Sequence, residues 1–202
     1  MDNTYEINNC GVVLLAAGSS SRLGSPKQLL RYKGKSFLQN MVSAATGTNL
    51  SPIIVVLGAH ADSLRDEIGG NNVHIVFNQL WEEGIASSIR CGIQALEKIN
   101  PICDGVILMV CDQPYITTAL LSDLVGVQGK TGRPIVAAYY SSIAGTPALF
   151  HKKFFQALLS LKGDKGAGKI LQQQADKVAT ISFPMGAFDV DTIENYEKIE
   201  AG

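Results

Sequence analysis

Residues 11–30 read GVVLLAAGSSSRLGSPKQLL, and the change of character along this stretch decides the fold. Gly11-Val12-Val13-Leu14-Leu15 is short, apolar and β-branched, which predicts a strand buried on both faces in a parallel sheet. At Gly18 the run gives way to Ser19-Ser20-Ser21, then to Arg22, Gly24, Pro26 and Lys27. Small residues let backbone N–H groups close around an anion, because no Cβ bulk intervenes. Arg22 brings a planar fork and Lys27 a point charge, two complementary grips on phosphate. Pro26 fixes its own φ and stiffens the segment that aims Lys27. Together these parts suit a polyphosphate at the carboxyl end of a strand. The stretch is not a Walker A loop, which needs G-x-x-x-x-G-K-[ST]. It is not a dinucleotide fingerprint either, since the glycines at 18 and 24 are too far apart for G-x-G-x-x-G. The bland alternative is a tight turn with solvated charges; two cations flanking a glycine-serine turn directly after a buried strand argue against it.

Outward from this turn, strands and helices alternate. Ser36 is placed to cap a helix over 37–46, whose apolar residues Phe37, Leu38, Met41, Val42 and Ala45 recur with helical period. Residues 52–57 read as a second buried strand closed by Gly58, 62–68 as a short helix, and 73–77 as a third strand. Such alternation implies a parallel sheet with right-handed crossovers, and ligands of such sheets bind beyond the carboxyl ends of the strands. After the third strand comes Asn78-Gln79-Leu80-Trp81-Glu82-Glu83-Gly84-Ile85-Ala86-Ser87-Ser88. Ser87 or Ser88 is placed to cap a helix reaching about Ile99, and its N-terminus suits a base or an anion. For Trp81 alone, simple packing is the better reading. A fourth buried strand, 104–111, ends in Asp112-Gln113-Pro114. A carboxylate buried there needs a cation or a donor, and Mg²⁺ is bound by one or two carboxylates plus substrate phosphates. Spacing alone leaves that role level with a capping or turn-forming aspartate.

Thr117 starts a helix to about Val125, 134–139 form a fifth strand, and 163–169 a glycine-rich turn before a helix over 170–176. His151, opening a basic run, reads as surface. A strand over 178–183 leads into Phe188-Asp189-Val190-Asp191-Thr192-Ile193-Glu194, where alternation puts Asp189 and Asp191 on one side. Asp191 with Glu194 also fits a capping-box-like helix start.

The chain has 202 residues, 46% hydrophobic and 17% charged, with a formal net charge of −1. That is a globular composition with room for one sizeable core, and residues 1–202 read as a single domain. A nucleic-acid binder that neutralises phosphates is normally basic, so no nucleic-acid partner is expected. No apolar run is long enough for a membrane span, and residues 1–9 lack a signal pattern; no membrane association is expected, and the cytoplasm is the expected location. Cys10, Cys91, Cys103 and Cys111 form no C-x-x-C pair and read as reduced structural thiols, Cys111 being notable for abutting Asp112.

Leu15–Lys27, LAAGSSSRLGSPK, resembles the L-A-A-G-x-S-x-R-x-G-x-P-K signature of the MobA-like nucleotidyltransferase family, matching every fixed position. Ala17 is closer to the molybdenum cofactor cytidylyltransferase branch than to GMP-transferring relatives, which usually read L-A-G-G. Five weaker patches support the likeness: 78–88 resembles N-x-x-W-x-x-G-x-x-x-S, and Cys111–Pro114 resembles C-D-Q-P. Residues 145–150 fit G-H-P-x-L-F with Thr146 in place of histidine. Residues 163–168 fit G-D-x-G-A-R with Gly168 in place of arginine and Lys169 adjacent, while 189–194 resemble D-[IV]-D-T-P-E. The resemblance implies an α/β Rossmann-like three-layer αβα sandwich with a mostly parallel central sheet. It places Leu15, Ala16, Ala17, Gly18, Ser19, Ser20, Ser21, Arg22 and Lys27, with Asn78, Gly84 and Ser88, against a nucleotide. It makes Arg22, Lys27 and Asp112 catalytic, and Asp112, Asp189 and Asp191 the Mg²⁺ ligands. The implied reaction transfers CMP from CTP, or another NTP, to the phosphate of molybdopterin, with a molybdenum hydroxylase or its chaperone downstream. Another cytidylyl or sugar-phosphate nucleotidyltransferase, a non-catalytic cofactor chaperone, and a nucleotide-binding regulatory domain are the alternatives.

Overall fold

The computed structural model describes residues 5–20, 23–70, 72–190 and 192–200. The opening strand, β1 (Cys10–Ala16), is buried at all seven positions. A 3₁₀ turn (Lys27–Leu29) and a small hairpin, β2 (Arg31–Tyr32) with β3 (Lys35–Ser36), lead into α1 (Phe37–Thr46). The predicted cap is present as a full capping box: Ser36 Oγ accepts from Gln39 N–H, and Gln39 Oε1 accepts from Ser36 N–H. Then follow β4 (Ile53–Leu57), α2 (Ala61–Ile68), β5 (His74–Phe77), α3 (Ile85–Ile99), β6 (Gly105–Val110) and α4 (Thr118–Thr131). The chain continues through β7 (Ile135–Tyr140), β8 (Ile143–His151), α5 (Phe155–Leu159), α6 (Gly168–Gln173), β9 (Val178–Ser182) and α7 (Ile193–Glu200).

Apart from the β2–β3 hairpin, the strands form one seven-stranded sheet in the order β5-β4-β1-β6-β8-β7-β9. All neighbours are parallel except β8, which runs antiparallel to both β6 and β7. Because β1 is covered on both sides, its alternate residues feed two separate cores. Val12, Leu14 and Ala16 join side chains of α1, α2 and α4 on one face; Val13, Leu15 and Ala17 join those of α3, α5 and α6 on the other. The result is the expected Rossmann-like αβα sandwich with a mostly parallel sheet. No described helix is long and apolar enough to cross a membrane.

Several local expectations are corrected. Helix α3 begins at Ile85, with Gly84 at its N-cap and no side-chain cap; Ser87 and Ser88 lie inside the helix and serve Asn78 instead. Helix α4 continues past Val125 to Thr131, where Gly132 (φ +62°) ends it in the left-handed region. Residues 143–151, whose sequence pattern suggests no strand, pair as β8. His151 is buried rather than exposed: its Nδ1 accepts from Lys153 N–H and its ring meets Tyr5 edge-on. All four cysteines are free. Burial pushes the thiols of Cys10, Cys91, Cys103 and Cys111 up from their ordinary range, so Cys111 is an inert core thiol rather than a nucleophile.

Helix α3 lies directly on β1 and β4, and Gly92 marks the contact: a Cβ there would overlap Val13 Cγ1 and lie 3.2 Å from Val56 Cγ2. Both valines are buried and stiff at χ1. Gly92→Ala gains about 1 kcal/mol of helix propensity, but overpacking costs typically about 1–3 kcal/mol. The expected net effect is destabilisation, read as a lower urea midpoint with an unchanged slope.

Candidate functional site

The carboxyl ends of β1 and β6 meet at one point. Leu15 pairs with Val110 in the ladder, and Cys111 N–H donates to Leu15 O at 3.3 Å. The loop after β1 and the Asp112 segment therefore open onto the same rim, which carries a cleft of about 430 Å³.

One wall of the cleft is the loop Leu15–Ser20, whose carbonyls are fastened from behind. Gln28, 1% exposed, donates Nε2–H to Ala16 O (3.0 Å) and Gly18 O (2.9 Å). Ala59 N–H donates to Ala17 O (3.2 Å), and His60 Nε2 lies 3.0 Å from Ser19 O; against a carbonyl that nitrogen must be the donor. Ser20 occupies the left-handed region (φ +56°). Its hydroxyl accepts from Lys27 N–H (2.9 Å) and donates to Gln28 Oε1 (3.3 Å), so the turn conformation and the start of the 3₁₀ turn are fixed together. A loop held this way needs little reorganisation to receive an anion.

The floor holds Lys27 and Asp112, 85 residues apart in sequence, with Nζ 2.6 Å from Oδ2 and side chains 17% and 23% exposed. The opposite wall is the segment after β5. Trp81, Glu82, Gly84 and Ser88 face the cleft, joined by Asp164 from the loop before α6. Gly84 has φ +97° and sits against Gly163 and Asp164, so a side chain there is excluded twice over. Asn78 does not line the cleft. Its Nδ2 donates to Ser87 Oγ (2.7 Å) and Ser88 Oγ (3.0 Å), and its Oδ1 accepts from Leu80 N–H (3.0 Å). Asn78 thus holds the wall from behind and presents Ser88 to the cleft.

Asp189 is exposed and outside the cleft lining, yet its chain neighbour is tied to Asp112: Val190 N–H donates to Asp112 O at 3.1 Å. Ser21, Arg22 and Asp191 lie outside the described residues. Among the described residues no group of three or more His, Cys, Asp or Glu side chains surrounds a metal position. Asp112 in the floor of the cleft does suit a hard cation that completes its shell with substrate oxygens.

A second cavity of about 460 Å³ adjoins the first, sharing Ile85 and Val110. Tyr140, Ile143, Thr146, Ala167 and Leu171 are among its lining, and among the described residues no Lys, Arg, His, Asp or Glu belongs to it. Lys169, adjacent to Gly168, is exposed and lines neither cavity. Gln28, His60 and Gln113 are parts of the site that sequence reasoning misses. Polar residues beside apolar runs give no signal of the carbonyls they meet.

Fold and cleft together define a nucleotidyltransferase-type domain. Residues 12–178 match the MobA-like NTP transferase domain model, and the chain belongs to that family. It is 31% identical over 198 residues to nicotine blue oxidoreductase of Paenarthrobacter nicotinovorans, spanning 93% of this chain and 94% of that one. It is 27% identical to purine catabolism protein PucB of Bacillus subtilis, with the same coverage. The crystal structure of Rv0371c from Mycobacterium tuberculosis superposes with a TM-score of 0.82 at 29% identity, covering 98% of this chain and 100% of that one. A manganese complex of the same protein gives 0.76 at 27% identity with the same coverage.

Gln28→Leu keeps the volume but leaves the carbonyls of Ala16 and Gly18 without their donor. It should cost about 1–3 kcal/mol of stability and weaken binding of a nucleoside triphosphate. Urea unfolding and calorimetric titration read the two effects; a variant matching the wild type in both would show that the loop holds itself.

Proposed function

We propose that this chain, acting as one nucleotidyltransferase domain over residues 1–202, transfers CMP from CTP to the phosphate of molybdenum-bearing molybdopterin and releases pyrophosphate. The observation that carries the reading is the Lys27–Asp112 pair at the floor of a cleft walled by the glycine-serine loop. A metal-dependent phosphoryl transfer asks a protein mainly for position and charge neutralisation. An acceptor phosphate oxygen attacks the α-phosphorus in line, the bond to the bridging β-phosphate oxygen breaks, and its electrons leave with pyrophosphate. The loop Leu15–Ser21 receives the phosphates, with Arg22 on the departing pyrophosphate. Lys27 sits on the α-phosphate, exchanging part of its contact with Asp112 for the charge that grows there. Asp112 and Asp189, together with Asp191, are the residues proposed to hold Mg²⁺, which supplies Lewis-acid neutralisation of the phosphate oxygens when bound. The manganese complex of Rv0371c supports a divalent ion in this family.

The base is assigned as cytosine on the likeness at Ala17. The acceptor's ring system is assigned to the second cavity, whose uncharged wall suits a flat, weakly polar body with its phosphate at the shared Ile85–Val110 boundary. The product would pass to a molybdenum hydroxylase or its chaperone in the cytoplasm.

Two measurements test the proposal. CTP, GTP, UTP and ATP are each incubated with molybdopterin and Mg²⁺ while pyrophosphate is followed. Fast release is expected with CTP and not with the other three; a carrier or a regulatory domain releases none. Lys27→Ala should lower turnover by about 10²–10³-fold while CTP affinity falls much less. Loss confined to affinity would remove Lys27 from the transition state.

A further inference from the structure

Gln113 follows Asp112 directly, yet its side chain is 1% exposed. A primary amide buried so completely must satisfy two N–H donors and one carbonyl, and here each has a partner from a different segment. Nε2 donates to Gly186 O at 2.9 Å and to Tyr140 Oη at 3.0 Å, while Oε1 accepts from Thr146 Oγ1 at 3.2 Å. Gly186 O only accepts hydrogen bonds, so the amide orientation is fixed. Tyr140 and Thr146 line the second cavity, at the end of β7 and within β8. Gly186 lies in the turn Pro184–Ala187 that leads to Asp189. Val190 N–H then closes the circuit on Asp112 O. One carboxamide therefore ties together the floor of the nucleotide cleft, the wall of the neighbouring cavity and the approach to the second acidic residue.

We propose that Gln113 is a positioning residue that locks Asp112 and the 184–190 segment in register with the wall of the second cavity. Metal-holding geometry and acceptor placement are thereby set by one group. The inference rests on the nucleotidyl-transfer reading for the identity of the two sites, but not for the existence of the network. An apolar side chain of equal size would fill the space and leave Gly186 O and Thr146 Oγ1 without this partner, loosening the segments that Gln113 joins.

The test uses Mn²⁺ as the metal probe with CTP and no acceptor, so that direct contacts of the cavity wall with an acceptor play no part. Mn²⁺ affinity in the presence of CTP is read by electron paramagnetic resonance, CTP affinity in EDTA by calorimetry, and folding by thermal melting. Gln113→Leu should weaken Mn²⁺ by about 10–100-fold, the range for groups that orient metal ligands, with metal-free CTP affinity within about twofold. Thr146→Val and Tyr140→Phe, each deleting one bond, should weaken Mn²⁺ less, and adding either to Gln113→Leu should cause no further loss. Unchanged Mn²⁺ affinity in the folded single-bond variants, or losses that simply add, would overturn the proposal. Wild-type protein that binds Mn²⁺ and CTP but releases no pyrophosphate would sink the transferase reading alone, since the same titrations still read the coupling through Gln113.

Discussion

The parallel ladder between β1 and β6 is the constraint on which the site depends. It pairs Leu15 with Val110 and continues one bond further, from Cys111 N–H to Leu15 O. Because strands in register end in register, the loop beyond Ala16 and the turn at Asp112 emerge side by side. The Lys27–Asp112 contact follows from that placement. Both side chains are largely withdrawn from solvent, so the cost of desolvating them offsets much of the attraction and the pair adds little net stability. A weak, partly solvated pair is also one that a phosphate or a cation readily exchanges with. Stability comes instead from the two apolar layers that β1 separates, and that division leaves the rim free for chemistry.

The parts of the fold that are legible in the sequence are those whose physics is local. Strands buried on both faces read as continuous apolar runs, so β1, β4 and β6 stand out in the residue pattern alone. Ser36 and Gln39 sit at capping-box spacing, and α1 begins where they say. The start of α3 is easily misplaced because its N-cap is a glycine in the left-handed region, which offers no side-chain signal, while Ser87 and Ser88 imitate one. The end of α4 reads too early because Gly126 and Gly129 weaken the helical pattern; burial of Gln128 and Leu124 overrides them. Strand β8 escapes notice because small residues and Pro147 interrupt its alternation. Its pairing is supplied by neighbours on both sides, with a register shift at Ala137/Ala138.

The site divides in the same way. Small residues and cations on a loop advertise themselves, so Leu15–Ser20 and Lys27 are conspicuous, and Asp112 is suggested by its place at a strand end. Much of what holds them is invisible in one dimension, because Gln28 and Gln113 owe their roles to backbone carbonyls or to partners remote in sequence, while Asn78, expected against the nucleotide, instead bonds Ser87 and Ser88. A glutamine in a sequence suggests surface; only the fold shows that Gln28 meets two loop carbonyls and that Gln113 meets three segments.

Gln28 shows the chemical reason for a buried amide here, and the neutrality it supplies is shared by Asn78 and Gln113. A loop proposed to offer N–H groups to an anion carries carbonyls that cannot all be satisfied by regular secondary structure. A charged donor such as lysine would satisfy them only at the cost of burying its charge or competing for the phosphate itself. A carboxamide supplies donors and an acceptor with no net charge, so it fixes peptide planes without altering the field that the substrate meets. The cationic groups can then be kept for the cleft. That logic extends to the second cavity, whose described lining has hydroxyls, an amide, glycines and apolar side chains but no ionised group. Charged side chains are kept in the cleft proposed for the reaction, and neutral amides hold its walls from behind.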